Sequence, residues 1–254
     1  MINVVLLPSL LDTSLLPQSQ VVVLDVLRAS STMVTALANG AVEVRLFDGV
    51  EEVATTRAAL RATTPCVLAG GERGCLPVPG FDLGNSPAQY RPDVVGGATV
   101  LLSTTNGTRA ATAAAAAQRL YIGSLLNAQA TAEALLPAID NLHTLFVPAG
   151  TDGRVSLEDW LGAGAILWYI FGGTYRGDLS FTDTAWMAYH AFSAVKDRLP
   201  AALRLGSGGL NLIQAGFEED IDCCAAINSR PIVAQVRRDP LRVVRGSDYQ
   251  PSCI

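Results

Sequence analysis

The sequence contains little charge and no long apolar run. Only 16% of the 254 residues are charged, 50% are hydrophobic, and the formal net charge is −5. Such an apolar chain can bury a sizeable core, which excludes general disorder. An acidic balance without blocks of Lys or Arg disfavours binding to nucleic acid or to a membrane surface. The longest apolar run, Trp160 to Phe171, is too short for a membrane span, so neither partner is expected.

Cysteine and histidine are too sparse for two common kinds of site. The odd number of cysteines and the lack of Cys-x-x-Cys spacing predict neither a disulfide framework nor a thiolate zinc site. This usage suits a reducing cytoplasm, where we expect the protein to be located. His143 and His190 are the only histidines, and we interpret both as structural. A bound metal is therefore expected to be an oxygen-ligated cation such as Mg²⁺.

Short β-rich segments alternate with helical patterns along the chain. We interpret the apolar start, Met1 to Leu16, as a first strand and not as a signal peptide, because it has no basic region and contains Asp12. The alternation predicts an α/β fold with mainly parallel, mixed sheets flanked by helices, in two similar-sized α/β halves. The first domain is expected to span residues 1–125 and the second residues 126–254. The tail from Arg237 is interpreted as a surface segment.

The chain is organised around VVVLDVLRASS, Val21 to Ser31, which is interpreted as a buried strand, a tight connection and the start of a helix. Ligands bind beyond the carboxyl end of the strand in such units. Asp25 could hold a metal or act as a nucleophile or base, and the guanidinium of Arg28 could clamp an anion. The alternative is that Asp25 caps the loop and pairs with Arg28.

Two further loops in the first predicted domain carry polar groups. The long loop from Ala69 to Pro87 contains Glu72, a candidate metal ligand, Arg73, a candidate anion clamp, and Asn85 in a turn. A surface Ω-loop is the alternative. The loop STTNGTRA, starting at Ser103, opens a helix and so offers free backbone N–H groups to a phosphate or sulfonate. An ordinary helix N-cap is the alternative there.

The second predicted domain carries three acids in one strand-to-helix connection, Asp152, Glu158 and Asp159. Ser156 and Asp159 have the spacing of a capping box, which would explain Glu158 and Asp159 without catalysis. The acidic run from Glu218 to Asp222 is interpreted as a solvated face or as an extended segment with Asp220 and Asp222 on one side.

Four segments, in this order, resemble the 2-phosphosulfolactate phosphatase family: VVVLDVLRASSTMVTALANGA, AGGERGCLPVPGFDLGNSP, STTNGTRA and AGTDGRVSLEDWLGAGAI. The resemblance covers most of the chain, from Val21 to Asp222. It implies an α/β fold and Mg²⁺-dependent hydrolysis of 2-phospho-3-sulfolactate to 3-sulfolactate and phosphate, a step of coenzyme M biosynthesis. A related phosphorylated hydroxy acid is the alternative substrate.

The resemblance also gives roles to the polar residues of the four loops. Asp25, Glu72 and Arg28 are the candidate catalytic residues. The candidate substrate-binding residues are Arg73, Asn85, Ser103, Thr104, Thr105, Asn106, Gly107 and Thr108. The candidate Mg²⁺ ligands are Asp25, Glu72, Asp152, Glu158 and Asp159, with one of the last three completing the set.

The expected partner is a small anionic phosphorylated substrate, and the apolar composition is compatible with a homodimer. A non-enzymatic α/β module that binds an anionic metabolite would use the same loops for recognition. A phosphotransferase is a third interpretation, which would need an acceptor. Release of free phosphate separates these functions.

Overall fold

The computed structural model describes residues 1–172 and 179–246. The strands of these residues form one sheet. Their bounds are β1 Ile2–Val4, β2 Ser19–Leu24, β3 Glu43–Leu46, β4 Val67–Arg73, β5 Leu76–Pro77, β6 Thr99–Ser103, β7 Arg119–Gly123, β8 His143–Pro148, β9 Ala234–Arg237 and β10 Arg242–Arg245.

Helices cover both faces of the sheet. The α-helices are α1 Ala29–Ala38, α2 Val50–Leu60, α3 Pro92–Val95, α4 Gly107–Ala113, α5 Ala128–Leu135, α6 Leu157–Phe171, α7 Asp183–Val195, α8 Leu199–Leu203, α9 Ser207–Gln214 and α10 Glu218–Ala225. Short 3-10 helices lie at Pro8–Leu10, Thr13–Gln18, Pro87–Gln89, Leu125–Asn127, Leu136–Ala138 and Lys196–Arg198. The predicted α/β fold, with a mixed sheet flanked by helices, is confirmed.

The strand order is β1-β8-β2-β7-β9-β10-β3-β6-β4-β5. Two parallel blocks, β1-β8-β2-β7 and β3-β6-β4, lie on either side of the β9–β10 hairpin. The hairpin pairs antiparallel with β7 on one side and with β3 on the other. The two blocks therefore run in opposite senses, and the sheet's right-handed twist turns one block relative to the other.

Strand β2 is buried on both faces, as its unbroken apolar sequence predicts. Val21 and Val23 belong to the core beneath α1 and α4, and Val22 and Leu24 belong to the core beneath α5, α6 and α7. This alternation places Asp25, the next residue, at the end of the most deeply enclosed strand. Asp25 is thus attached to a rigid part of the fold.

Three predicted elements differ from the structure. Strand β4 continues to Arg73 instead of ending at Ala69, because β6 pairs with it up to Gly71 and β5 pairs with its last residues. The acidic run is not an extended segment but belongs to α10, where Asp220 is buried while Glu218, Glu219 and Asp222 are exposed to solvent. The tail from Arg237 is not a surface segment throughout, because β10 lies inside the sheet and Val243 is fully buried.

The sheet crosses the predicted boundary near residue 125. Strand β8, from the predicted second domain, lies between β1 and β2, from the predicted first domain. The boundary therefore does not coincide with a break in the sheet, and the division into two domains stays a prediction.

Two further features concern chemistry and location. Cys66, Cys75, Cys223 and Cys224 are free thiols, and Cys253 lies outside the described residues. Within residues 1–172 and 179–246, no helix has both the length and the apolar character needed to cross a bilayer.

Candidate active site

The four predicted loops meet at one cavity of about 670 Å³, and α9 closes its far side. The loop after β2 contributes Asp25, Leu27 and Arg28, and the end of β4 with the residues that follow it contributes Glu72, Gly74, Cys75, Leu76 and Asn85. The other lining residues are Thr105 and Asn106 before α4, Thr151 and Asp152 before α6, Gly208, Asn211, Leu212 and Gln214 on α9, and Ala215 directly after α9.

Asp25 lies at the N-terminal end of α1 and is 8% exposed. The N–H of Ala29 donates to its Oδ1 at 3.2 Å. Burial, together with the charges of Glu72 and Glu158, raises the pKa of Asp25 to about 7. Hydrogen bonds from the backbone of Ala29 and Gly107 oppose this rise. The Asp25 carboxyl group therefore gains and loses its proton near pH 7. It lies at the N-termini of α1 and α4 and close to other acidic side chains.

Glu72 ties the second loop to the third. Its Oε1 accepts a hydrogen bond from the N–H of Thr105 at 2.8 Å, and its Oε2 accepts one from the N–H of Cys75 at 3.0 Å. The carboxylate is nearly buried yet lines the cavity. Its orientation is therefore fixed by the backbone on both sides, as a metal ligand or a catalytic carboxylate requires.

Arg28 does not pair with Asp25, so the pairing considered as the alternative for this loop is wrong, whereas Asp25 does accept a hydrogen bond from the N–H of Ala29 at the start of α1. Its guanidinium donates to Asp220 Oδ2 at 2.6 Å and to the carbonyl of Cys75 at 2.7 Å, and it lies 4.5 Å from the centre of the Phe217 ring. The residue is 3% exposed and still lines the cavity. Arg28 thus presents a fixed, partly desolvated cation to whatever occupies the cavity.

The third loop contributes less to the cavity than its hydroxyl content predicts. Thr105 and Asn106 line the cavity, whereas the hydroxyl groups of Ser103, Thr104 and Thr108 do not. Thr108 Oγ1 donates to the carbonyl of Thr104, and Ser103 Oγ bonds to Arg73 and to a backbone carbonyl. Ser103, Thr104 and Thr108 therefore stabilise the loop and the start of α4, and they are not among the residues that line the cavity, so their contact with substrate stays a prediction.

Gly107 is placed where a side chain would not fit. A Cβ at this position would lie 2.8 Å from Asp25 Oδ2 and 2.8 Å from the Cβ of Ala29. The absence of a side chain lets the first turn of α4 approach the Asp25 carboxylate directly. The contact that the structure shows for Gly107 is thus with the carboxylate of Asp25, and its predicted role in binding substrate stays a prediction.

Arg73 does not line the cavity. Its guanidinium donates to the carbonyls of Glu72, Ser103 and Asp48 at 2.6, 3.1 and 3.1 Å, and to the hydroxyl of Ser103 at 2.8 Å. These bonds fasten β4 to β6. Arg73 lies in a strand, where neighbouring side chains point to opposite sides, so Glu72 and Arg73 cannot both face the cavity.

Of the three acids before and in α6, only Asp152 lines the cavity. Asp159 Oδ1 accepts from the N–H of Val26 at 2.7 Å, and Oδ2 accepts from the N–H of Gly150 at 3.0 Å. Burial raises the pKa of Asp159 well above its usual range, and the charge of Asp25 adds to this. Asp159 therefore connects the first and fourth loops through its two carboxylate oxygens, and its prediction as a metal ligand stays a prediction that this position outside the cavity lining does not favour.

Glu158 lies behind the cavity wall. Its Oε1 is 3.4 Å from Thr151 Oγ1, while Oε2 is buried and without a hydrogen-bond partner among the described residues. Burial raises its pKa. A Cβ on Gly208 would lie 1.9 Å from Oε1, so the carboxylate fills the space that this glycine leaves. Glu158 supports two lining residues, Thr151 and Gly208, and does not itself reach the cavity.

Comparison with known proteins identifies the family. The family model described as 2-phosphosulpholactate phosphatase matches residues 5–239. The chain belongs to this family. It is 38% identical over 216 residues to a relative from Carboxydothermus hydrogenoformans, covering 85% of each chain. It is 40% identical over 230 residues to a relative from Deinococcus radiodurans, covering 88% of this chain and 91% of the relative.

A relative from Clostridium perfringens is 32% identical over 246 residues, which are 96% of each chain. Each of these three proteins is named probable 2-phosphosulfolactate phosphatase. The family predicted from the four segments is thereby confirmed, as is the enzyme class, a phosphoric monoester hydrolase.

The cavity of this family member carries more negative than positive charge. Among the described lining residues, the carboxylates of Asp25, Glu72 and Asp152 oppose a single guanidinium, that of Arg28. A phosphate ester would meet net repulsion there unless a cation were also bound. The described residues form no group of three or more metal-ligating side chains. Mg²⁺ nevertheless fits, because it usually binds through one or two carboxylates and fills its other positions with water and phosphate oxygens.

Sequence reasoning missed several lining residues and one supporting acid. Asn211 and Gln214 are three residues apart on α9, the spacing that puts two side chains on one helical face, and this signal was available. Thr151 lies beside the predicted Asp152. Asp220 was considered only as one acid of a charged run, because nothing local in the sequence indicates a buried partner nearly two hundred residues away.

Proposed function

We propose that this chain is a Mg²⁺-dependent phosphatase that hydrolyses 2-phospho-3-sulfolactate to 3-sulfolactate and phosphate. The observation that carries the proposal is a cavity in which the carboxylates of Asp25 and Glu72 lie opposite the fixed guanidinium of Arg28. Family membership supports the substrate class. A related phosphorylated hydroxy acid stays the alternative substrate, and a place in coenzyme M biosynthesis is supported by family membership alone.

Asp25 and Glu72 would hold the Mg²⁺, with Asp152 near enough along the cavity wall to take part directly or through water. When bound, the ion would neutralise phosphate charge and lower the pKa of a bound water. Burial is the main cause of the raised pKa of Asp25 in the metal-free chain, and the charges of Glu72 and Glu158 add to it, so a bound cation would stabilise the ionised carboxylate. This is the physical reason for preferring a metal site to a cluster of structural acids.

The chain's own residues would bind and orient the ester. Arg28 would bind one of its anionic groups with a guanidinium that is already desolvated and held in place. The neutral groups of Asn85, Asn106, Asn211 and Gln214 would offer amide donors around the rest of a multiply charged substrate. The few apolar residues that α9 contributes to the cavity lining would limit the access of water to the bound ester.

The deciding experiment measures phosphate release from a panel of phosphorylated hydroxy acids that includes 2-phospho-3-sulfolactate, in Mg²⁺ and in EDTA. We expect release that requires Mg²⁺ and is fastest with the sulfonated ester. Binding of an ester by calorimetry without any phosphate release would instead support the non-enzymatic module. Transfer of the phosphoryl group to an added acceptor would support a phosphotransferase.

The substitution that tests the site is Asp25→Asn. It should lower phosphate release at least about 100-fold, since it removes a charge on which the cavity's chemistry depends. Asp93→Asn is the matched control, because Asp93 pairs with Arg91 on the exposed surface. Near-normal turnover by Asp25→Asn would contradict the assignment. The cytoplasmic location and the homodimer stay predictions.

A further inference from the structure

We propose that Asp220, supported by Ser86, is the positioning residue that holds the Arg28 guanidinium in its productive orientation. This inference rests on the proposed function, since it concerns how that site binds its anionic substrate. It gives α10, which contributes no lining residue among those described, a defined part in the reaction.

The first observation is the way in which Arg28 is held. Asp220 Oδ2 accepts a hydrogen bond from one terminal nitrogen of Arg28 at 2.6 Å, and the carbonyl of Cys75 accepts one from the other at 2.7 Å. The ring of Phe217, which immediately precedes α10, lies 4.5 Å from the guanidinium carbon. The two in-plane contacts and one ring contact fix both the position and the plane of the fork.

The second observation is that Asp220 is itself fixed. Ser86 Oγ donates to Asp220 Oδ1 at 2.5 Å, so each carboxylate oxygen has its own partner. Asp220 is 4% exposed, and Ser86 directly follows Asn85, which lines the cavity. A carboxylate held on both sides in a buried place cannot swing away, and so it transmits its position to Arg28.

The charge balance explains why an acid is needed there. Arg28 and Asp220 form a buried ion pair, and removal of the acid would leave a buried cation without its charge partner. The carbonyl of Cys75 accepts one hydrogen bond but provides no net charge. Two of the five guanidinium donors are used by Asp220 and Cys75, and the fork keeps further donors for an anion in the cavity.

The main test compares Asp220→Asn with Asp222→Asn. Both substitutions remove one charge from α10, but Asp222 is exposed and pairs with Arg204 at 2.8 Å on the surface. We expect Asp220→Asn to lower kcat/KM by roughly 100-fold, the effect of misplacing a substrate-orienting group, and Asp222→Asn to change it less than about twofold. Equal kinetic parameters for the two variants would overturn the proposal.

Rescue by a free cation separates positioning from a general effect on the fold. Arg28→Ala leaves a space bounded by Asp220, Cys75 and Phe217, and added guanidinium ion should restore part of its phosphate release in a saturable way. The double variant Arg28→Ala with Asp220→Asn should show no such restoration at the same guanidinium concentration. Equal rescue in both backgrounds would show that Asp220 does not position the cation.

A milder variant covers the case in which Asp220→Asn fails to fold. Ser86→Ala keeps the Arg28–Asp220 pair and releases only one carboxylate oxygen. It should lower kcat/KM several-fold in the same direction, with a melting temperature close to that of wild type. Wild-type kinetics in a folded Ser86→Ala would reject the proposal, which requires Ser86 to hold Asp220 in place.

Failure of the proposed function would look different. Wild-type protein would then release no phosphate from any member of the panel. Positioning would still be tested by the thermal shift that inorganic phosphate produces in metal-loaded protein. The shift should be present in wild type and in Asp222→Asn but reduced in Asp220→Asn. Equal shifts in all three proteins would overturn the positioning role.

Discussion

Asp25 is buried beside other carboxyl groups, so its ionised form is disfavoured in the metal-free chain. Its pKa rises from the ordinary value of 3.8 to about 7. Between these values the folded chain keeps a proton that the unfolded chain has released. The free energy of unfolding therefore falls as the pH rises from about 4 to about 7, and the loss is complete above the folded pKa.

Asp25→Asn should remove this loss. In EDTA at pH 8, we expect the variant to melt above the wild type, and near pH 4 we expect the two to converge. A shift of three pKa units corresponds to at most about 4 kcal/mol, which sets an upper limit of roughly 8–16 °C on the rise for a chain of this size. Differential scanning fluorimetry across this pH range measures it, with Asp93→Asn as control. A lower melting temperature for Asp25→Asn at pH 8 would contradict the prediction.

Mg²⁺ should reverse the comparison. A ligand that binds only the folded chain raises its stability with concentration, and the carboxylate of Asp25 is one of the two proposed ligands. We expect added Mg²⁺ to raise the melting temperature of wild type and to leave Asp25→Asn nearly unchanged. The same scans at fixed pH, with Ca²⁺ and without any divalent cation, measure the effect. An equal rise in both proteins would place the ion elsewhere.

Arg28 and Arg73 have the same side chain and different roles. Arg73 makes four hydrogen bonds to strand and loop backbone and to Ser103, whereas Arg28 faces the cavity. Arg73→Gln should therefore lower the free energy of unfolding by about 1–3 kcal/mol, whereas Arg28→Gln should chiefly raise KM. Urea unfolding and steady-state kinetics on both variants measure this. A larger KM change for Arg73→Gln would contradict it.

At the scale of the elements, the start of α9 lies close to Glu158 of α6, and the glycine at position 208 leaves room for the Glu158 carboxylate. Gly208→Ala would place a methyl group 1.9 Å from Glu158 Oε1, so the start of α9 or the buried carboxylate must move. We expect a loss of stability of about 1–3 kcal/mol together with weaker substrate binding, since Gly208 lines the cavity. Thermal unfolding and KM measure the two effects.

Gly49→Ala is the matched control for Gly208→Ala. Gly49 precedes α2, and a Cβ there would meet only glutamate side chains at 3.7 Å. Its melting temperature and KM should stay close to those of wild type. A Gly208→Ala protein that matched this control in both measurements would show that α9 and Glu158 can move apart freely.

The regular spacing of residues along helices and strands explains which site residues could be predicted from the sequence. Each of the four loops follows a strand with a clear apolar signal, so Asp25, Glu72 and Asp152 were predictable. The side on which a residue falls depends on local conformation. In an extended segment Asp220 and Asp222 would share a side, but in α10 they are about 200° apart, so one is buried and the other exposed.

At the scale of the whole molecule, the long-range pairing was not predictable from local signals. The β9–β10 hairpin comes from the last part of the chain, yet it joins the two parallel blocks at the middle of the sheet. Its segment, with arginines at both ends of β10, has the composition of a surface tail, and the burial of Val243 results only from its pairing with β3 and β9. The amino-acid composition of a segment therefore does not determine which strands it pairs with.

The same topology predicts that residues 1–125 will not fold alone. Without β8, strand β1 loses the strand with which it pairs and β2 loses one of its two neighbours. Without the hairpin, nothing joins β7 to β3. We expect this fragment to unfold without a cooperative transition by circular dichroism in urea, and we expect mixing it with residues 126–254 to restore one. A sigmoidal transition of the isolated fragment would instead support two domains, because residues 1–125 would then bury enough apolar surface without β8 and the hairpin.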